Sequence, residues 1–412
     1  MESNKQAEMG DSMTAEIITL RDGSDLGRQL PPPGMNNDLT LVEQTPGFNA
    51  GSFSYQRNMR GYEAFARRGL NIFQLDYNAT TAEAPYAIYT ADCSDPHEID
   101  DGVFVEPLPS AVEAYRVGVC VADTSKLYLD GGIRNTVLER VHADYWDLPN
   151  GERGYDPLID PAVIKDLELT EGNIRNALII SFVIARNLLP TEVEIKFGKV
   201  EVVKNYNYKD FSGLAAPKSQ LERYSQASQM ILRSLKFNLG GDSTHHPPEN
   251  GKRSLANMSY ESWKRGARMN EVFMVAANHL TGRITRDENY PAIYRVHDLG
   301  DTRFEEIMEL NASMYSQTPG PHQALGVDPY CRVTSGLRRL EDFTMSYFLY
   351  LRSQGKQPTQ QDLAFRSRAI RRLNKRAIYE AESSSLTRMR RRREEAQLRL
   401  AELAETNTDL AG

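Results

Sequence analysis

Apolar positions divide the chain into a strand-rich first half and a helix-rich second half. Short runs of β-branched and aromatic residues, separated by turn residues, predict strands. They occupy residues 86–91, 103–106, 115–122 and 178–184. After about Ser219, apolar residues recur three and four positions apart, as in 272–280 and 343–349, which predicts helices. The pattern indicates an α+β protein with a sheet-rich first half and a helical second half.

The same pattern suggests four segments. Residues 1–50 are polar and punctuated by proline and glycine, which is typical of a partly ordered arm. Residues 51–85 lead into the main domain, residues 86–356. Residues 357–412 are rich in arginine and predict one or two long charged helices.

Composition restricts the class of protein further. The 412 residues are 40% apolar, enough for a substantial core, and the net charge of -7 argues against binding polyanions over the whole surface. The three cysteines are too scattered for a disulfide framework or a zinc site, so a reducing cytoplasm fits best. No apolar run approaches the roughly 18 residues that span a bilayer, and no signal-like segment opens the chain, so we expect neither membrane insertion nor secretion.

The sharpest feature is a cluster of acidic residues after the first predicted strand: Asp92, Asp95, Glu98, Asp100 and Asp101. Two carboxylates about 5 Å apart repel by roughly 3 kcal/mol at an effective dielectric near 20, so protons or cations must offset such crowding. An all-oxygen ligand set favours Mg²⁺ or Mn²⁺, which commonly also bind phosphate. A solvated acidic loop is the competing interpretation, whereas an EF-hand is excluded because the central glycine and terminal glutamate are missing.

This segment resembles the signature of the ribonuclease II (RNB) family, Thr-x-Asp followed by acidic residues six, eight and nine positions later. Thr90, Asp92, Glu98, Asp100 and Asp101 stand at those positions. Further segments match in the same order along the chain. They are 117–125, 167–177, 270–278, 293–297, 319–326 and 330–342, so the resemblance covers about residues 86–352.

The resemblance has departures. Glu98 stands where the family has Asp, Gly336 and Leu340 replace Pro and Tyr, and Val272 replaces an acidic residue. Family members also flank the catalytic domain with small β-barrels, and neither flank of this chain shows five strand-like runs.

The resemblance implies an RNB-type catalytic domain around an RNA channel and a magnesium-dependent 3′–5′ exoribonuclease that releases nucleoside 5′-monophosphates from single-stranded RNA. Two Mg²⁺ ions would be held by four carboxylates while substrate is bound: Asp92, Glu98, Asp100 and Asp101. Asp92, Asp100, Asp101 and Arg338 are the expected catalytic residues.

RNA contacts are expected from two groups of residues. Arg338 follows Thr334 and Ser335, which suggest a helix cap, so all three could face a phosphate. The competing role for Arg338 is an ion pair with Asp342. The family's RNA contacts correspond here to Tyr145 and Tyr208, which would stack on or orient bases, and to Glu271, which would contact a ribose; ordinary structural roles compete for both tyrosines.

Other functions stay open. A degenerate RNB domain could bind RNA or protein without cutting, and acidic metal sites also serve phosphodiesterases with other substrates. The arginine-rich tail could grip upstream RNA or form a solvated helix. His322 is expected to be a satisfied core histidine.

Overall fold

In the computed structural model, residues 85–93, 96–109, 113–147, 153–214, 219, 221–237, 253–297 and 313–380 are described. The predicted arm (1–50), nearly all of the lead-in segment (51–85) and the end of the tail (381–412) lie outside these residues.

A closed five-stranded barrel forms the first half of the described fold. Its strands are β1 (Tyr86–Asp92), β2 (Asp101–Pro107), β3 (Ala114–Ala122), β6 (Ile174–Ala185) and β7 (Thr191–Asn207). Neighbours pair antiparallel in that order, and β7 closes the barrel by pairing parallel with β1. The four predicted strands are confirmed, but β7 was missed, although its side chains alternate between polar and apolar over 191–197.

Shorter elements fill the long connection between β3 and β6. A 3₁₀ turn (Ser125–Leu129) leads into α1 (Gly131–Arg140), whose first turn is capped by the Asp130 carboxylate accepting from the N–H groups of Gly132 and Ile133. A hairpin of β4 (Asp144–Asp147) and β5 (Arg153–Asp156) follows, and then α2 (Pro161–Leu167). This hairpin carries the Tyr145 side chain.

The second half is helical, as predicted. It contains α3 (Tyr208–Leu214), α4 (Glu222–Leu235), α5 (Arg253–Asp287), α6 (Leu340–Ser353) and α7, which runs over residues 360–380 as far as the structure describes it. A two-stranded sheet, β8 (Tyr294–Val296) and β9 (Met314–Ser316), and a 3₁₀ turn, Gln323–Leu325, lie between α5 and α6.

None of the helices in the described part is both long and apolar enough to span a bilayer. Cys93, Cys120 and Cys331 form no disulfide.

One glycine sets the approach of α5 to α3. A Cβ atom built on Gly266 would lie 1.8 Å from the carbonyl oxygen of Tyr208, far inside van der Waals contact. Only glycine therefore allows the two helices this separation.

Helix α7 packs onto the domain along one face. Phe365, Ala369 and Leu373 are buried, and Asn374 bonds the backbone of Tyr315 on β9 through both its amide oxygen and its amide nitrogen. The first part of the predicted tail is therefore integrated into the fold.

Candidate active site

The acidic residues gather where the barrel strands meet the helices. Asp92 ends β1 and Asp101 begins β2, so the loop that joins the two strands returns its carboxylates to one end of the barrel. Asp92 lies opposite Asn207 in the parallel pairing with β7, and Tyr208 follows at the start of α3. Strand pairing thus brings Tyr208 beside the acidic loop.

Asp100 binds the loop that precedes α6. Its Oδ2 accepts from Nε of Arg338 at 2.9 Å, and its Oδ1 accepts from the backbone N–H of Leu337 at 2.9 Å. Asp100 is buried, whereas 35% of the Arg338 side chain is exposed. Burial opposes the guanidinium charge, but Asp100 outweighs it and raises the pKa of Arg338. Arg338 is thus charged, anchored on one edge and still accessible from the outside.

Ser335 holds the other edge of that guanidinium. Its hydroxyl accepts from Nη2 of Arg338 at 2.9 Å and also from Arg339, and its backbone N–H donates to Oδ1 of Asp342 at 2.8 Å. The predicted alternative ion pair between Arg338 and Asp342 is wrong, because Arg339 lies 3.3 Å from Asp342 instead. The predicted helix cap is also wrong: α6 begins five residues after Ser335, and its first turn has no side-chain cap. Thr334 and Ser335 are both buried.

Glu98 is held by two tyrosine hydroxyls. Tyr145 donates to its carboxylate at 2.8 Å, and Tyr155 donates to Oε1. Burial and the neighbouring Asp100 raise the pKa of Glu98 to about 7, although both hydroxyls oppose this. The longer side chain at this position thus reaches the β4–β5 hairpin. Sequence reasoning missed Tyr155, which pairs with Tyr145 in the register of that hairpin.

Asp101 is buried and Asp92 is half-buried, and both have few hydrogen-bond partners. Asp101 Oδ2 accepts from the Asn270 amide at 3.3 Å, whereas Oδ2 of Asp92 has no hydrogen-bond partner. Burial, followed by repulsion from Asp100, raises the pKa of Asp101 to about 7. Burial, Asp101 and Asp100 raise the pKa of Asp92 well above its ordinary value. Asn270 also donates to the carbonyl of Ala91 at 3.2 Å, which ties α5 to both strands, and sequence reasoning missed it.

The donor chemistry suits a hard divalent cation, but the ligands are not preassembled. All the oxygens come from carboxylates. Oδ2 of Asp92 has no hydrogen-bond partner, and the raised pKa values of Asp92 and Asp101 indicate that their ionised forms are poorly compensated without a cation. Within the described residues, however, no three Asp, Glu, His or Cys side chains converge as a ready-made metal site. Arg338 occupies Asp100 and the tyrosines occupy Glu98, so binding a metal requires some of these contacts to exchange.

Tyr208 and Glu271 border the site differently. Tyr208 is buried, and burial together with Asp92 and Asp101 raises the pKa of its hydroxyl, which places the ring beside the carboxylates. Glu271 lies one residue after Asn270 and is half-buried, and burial raises its pKa. Val272 is buried in the core, which accounts for an apolar residue where the family has an acidic one.

A second buried cluster of charges lies behind the Arg338 loop. Glu341 accepts from the Tyr315 hydroxyl at 2.8 Å and lies 3.4 Å from Arg332 and 3.5 Å from His142. Burial raises the pKa of Glu341, but His142 and Arg339 outweigh it, and the pKa falls to about 2. Asp342, which faces Arg339, keeps a pKa of about 6, raised mainly by burial. Both carboxyl groups are therefore ionised at pH 7.

His322 is a buried histidine, as expected, but it is not a satisfied one. Neither ring nitrogen has a hydrogen-bond partner, and the ring packs against His297 and Tyr330. Burial, followed by Arg295 and His297, lowers its pKa to about 3, so the ring is neutral at physiological pH.

Comparison with known proteins gives the family. The model of the RNB domain matches residues 84–314, more than half of the chain, and the chain therefore belongs to the RNB domain family. Comparison with curated protein sequences gives no match.

Solved structures share the fold at low sequence identity. RNase R of Mycoplasma genitalium in complex with ribose-methylated single-stranded RNA superposes with a TM-score of 0.58 at 13% identity, over 78% of this chain and 61% of that one. The Dss1 exoribonuclease active-site mutant of Candida glabrata gives 0.57 at 16%, over 84% and 53%. Yeast Ssd1, a pseudonuclease, gives 0.56 at 12%, over 77% and 45%. The fold is thus shared by an exoribonuclease and a pseudonuclease, and the chain spans less than two thirds of each.

Two departures from the family pattern have a packing explanation. A Cβ on Gly336 would lie 2.7 Å from Oγ1 of Thr124, a fully buried residue in the loop after β3, so glycine fits where the family has proline. Leu340, in place of tyrosine, is completely buried at the start of α6.

Proposed function

We propose that this protein is a magnesium-dependent hydrolytic 3′–5′ exoribonuclease that shortens single-stranded RNA to nucleoside 5′-monophosphates in the cytoplasm. The observation that carries the proposal is the ion pair between Asp100 and Arg338, 238 positions apart, beside Asp92 and Asp101, whose pKa values are raised by burial and by repulsion between the carboxylates. Divalent cations would neutralise these carboxylates, and the exposed part of the Arg338 guanidinium would bind a phosphate.

Asp92, Glu98, Asp100 and Asp101 would hold Mg²⁺, or Mn²⁺ in its place, with two ions when substrate is bound. When bound, these ions would supply an activated water molecule and charge stabilisation at the leaving 3′ oxygen. The remaining work belongs to protein side chains. Arg338, fixed on one edge by Asp100 and on the other by Ser335, would orient the scissile phosphate through its exposed nitrogens.

The RNA end would be positioned by residues around the carboxylates. Tyr145, which forms a stacked pair of rings with Tyr155 at a centroid distance of 5.4 Å, would border the terminal base, and Tyr208 would limit the depth of entry. Glu271 would accept from a ribose hydroxyl, which selects RNA over DNA. Thr334 and Ser335 would act on RNA through Arg338, because both are buried.

The test compares Asp100→Asn with wild-type protein on a 5′-labelled oligoribonucleotide, with and without Mg²⁺. We expect metal-dependent release of mononucleotides from the wild type, none from the variant, and measurable RNA binding by both. Asp210→Asn, an exposed change in α3, is the control for the loss of one carboxylate and should cut normally. Equal release by wild type and Asp100→Asn would contradict the proposal.

A second candidate is an RNB domain that binds RNA without cutting it. The observation that favours it is the engagement of Glu98 by two hydroxyls and of Asp100 by Arg338, which leaves no set of three ligands together in the described residues. Cleavage that requires both Mg²⁺ and Asp100 would exclude this candidate.

A further inference from the structure

Helix α7 carries a row of cations along its solvent-facing side. Its buried side consists of Phe365, Ala369 and Leu373. The opposite side carries four cations at helical spacings of three and four: Arg368, Arg371, Arg372 and Lys375. We name these four residues the α7 basic row. Arg372 is half-buried and the other three are exposed.

The row lacks partners among the residues that the structure describes. The two remaining cations of this stretch are engaged: Arg366 donates to Oε1 of Gln317 at 2.9 Å, and Arg376 pairs with Asp144 and Glu380. By contrast, no described carboxylate forms an ion pair with any member of the row. The guanidinium of Arg368 lies 5.7 Å from the ring centroid of Phe365.

An ordinary solvated helix face is a poor explanation of this arrangement. Solvated faces usually mix charges of both signs, because like charges three and four positions apart repel each other. Residues 363–379 contain no Asp or Glu at all, although the whole chain has a net charge of -7. The excess of positive charge is therefore local, and a polyanion would relieve the repulsion.

The row ends next to a residue that contacts the β4–β5 hairpin, and this hairpin also contacts the acidic site. Lys375 precedes Arg376, whose Nη2 donates to Asp144 at 2.6 Å, and the next residue, Tyr145, bonds Glu98. At 1.5 Å per residue, the distance along the helix from Lys375 to Arg368 is about 10 Å. That length, together with the reach of long cationic side chains, is enough to contact a few consecutive phosphates of one strand.

We propose that the α7 basic row binds the sugar–phosphate backbone of the nucleic acid whose 3′ end enters the acidic site. The proposal rests on the proposed function for the position of that end, but it requires no cleavage. Contacts to phosphates do not depend on the identity of the base or on the presence of a 2′-hydroxyl.

The test measures binding without chemistry. Fluorescence anisotropy with a labelled oligoribonucleotide of about 20 nucleotides in EDTA gives the affinity between about 50 and 300 mM salt. The variant replaces Arg368, Arg371, Arg372 and Lys375 by Gln, which preserves helix propensity. The matched control replaces four exposed cations elsewhere by Gln, so that both variants lose four charges: Lys165, Lys199, Arg233 and Lys356.

We expect the row variant to lose at least tenfold in affinity at low salt and to reduce the slope of log affinity against log salt by about 2 to 3. The control should stay within about twofold of wild type, and circular dichroism should show both variants folded. A DNA oligomer of the same sequence should lose the same factor in the row variant. Equal losses in the row and control variants, no loss in either, or a loss confined to RNA would each overturn the proposal. Because cleavage is not measured, a protein that never cuts RNA would still show the difference, so failure of the proposed function gives a different result.

Discussion

The two buried charged clusters on either side of the Arg338 loop solve the same problem in opposite ways. In the acidic site, four carboxyl groups surround Arg338, and the pKa values of Glu98 and Asp101 rise to about 7. In the cluster behind it, Glu341 and Asp342 face Arg332, Arg339 and His142, and the pKa of Glu341 falls to about 2. Burial raises the pKa in every case, and of these four groups only Glu341 has neighbours, His142 and Arg339, that outweigh it, whereas Asp342 stays at about 6.

The comparison teaches how to distinguish a site from a scaffold. A cluster whose charges balance needs nothing from outside and can be explained by the fold alone. In a cluster with surplus negative charge the carboxylates repel one another, and binding a proton or a cation relieves this repulsion. On this criterion the acidic site is the candidate for function, and we expect the Glu341–Asp342 cluster to be structural.

The largest expected effect is that of replacing Arg338, the cation paired with Asp100. Arg338→Gln should slow mononucleotide release about 100- to 1,000-fold, because it removes a charge-assisted donor from the developing phosphate charge. Single-turnover release from a labelled oligoribonucleotide measures this rate. Arg338→Lys keeps the charge without the planar fork and should recover only part of the rate. If Arg338→Gln releases nucleotides at the wild-type rate, Arg338 takes no part in the reaction.

The balanced cluster should respond in stability. Asp342→Asn leaves Arg339 without its carboxylate and should cost about 3 kcal/mol in free energy of unfolding, at the low end for a buried pair because Arg339 is partly exposed. Urea denaturation measures the change. The control is Glu192→Gln, which breaks the exposed pair with Arg116 and should cost less than about 1 kcal/mol. Equal costs for the two variants would contradict the structural role.

Asp101 should destabilise the metal-free protein in a pH-dependent manner. Its pKa in the folded state is about 7, above its ordinary value, so the folded protein binds a proton that the unfolded chain has lost between about pH 4 and 7. The contribution of Asp101 to stability therefore falls as the pH rises through this window and is constant above it. Asp101→Asn removes this contribution and should stabilise the metal-free protein by about 2 kcal/mol at pH 8, with little effect at pH 4.5.

Urea unfolding in EDTA at the two pH values checks this prediction. In excess Mg²⁺ at pH 8 the gain should shrink or reverse, since wild type can then bind the cation. A variant that is no more stable than wild type at pH 8 in EDTA would show that Asp101 does not carry surplus charge.

The smallest effect concerns the hydrogen bonds from Tyr145 and Tyr155 to Glu98. Tyr155→Phe removes one hydroxyl donor, and because that hydrogen bond lowers the pKa of Glu98, the pKa should rise above about 7. The stability cost should be about 1 kcal/mol. A carbon-13 NMR titration of the Glu98 carboxyl group measures the pKa, and Tyr86→Phe, whose hydroxyl accepts from Lys196, is the control. An unchanged pKa in Tyr155→Phe would mean that Tyr145 alone holds the group.

Much of this architecture was predictable from local pattern. Four barrel strands and the helices around 272–280 and 343–349 all follow from apolar periodicity and turn residues. The acidic loop stands out because its charges are neighbours in sequence. The Asp100–Arg338 contact cannot be recognised in this way, because no local signal links residues that are 238 positions apart. Only the resemblance to the family placed both residues in one site.

The partners of the site residues were beyond local pattern for a physical reason. Tyr155, Asn270 and Arg339 act through hydrogen bonds or ion pairs formed when distant segments pack, and each would be an ordinary polar residue on its own segment. The same limit explains why an ion pair with Asp342 competes, in the sequence, as a role for Arg338. Two adjacent arginines in a loop point to different clusters, and spacing along the sequence cannot distinguish them.

Gly266 shows how a residue without a functional group can govern the acidic site. Its missing side chain lets α5 contact the Tyr208 carbonyl, and one turn later the same helix presents Asn270 to Asp101. Any larger residue would displace the helix and move both neighbours of the carboxylates together. In a saturation-mutagenesis survey scored by function, position 266 would thus rank with the acidic residues themselves, and a purely statistical interpretation of that survey would mistake a spacer for a participant in the reaction.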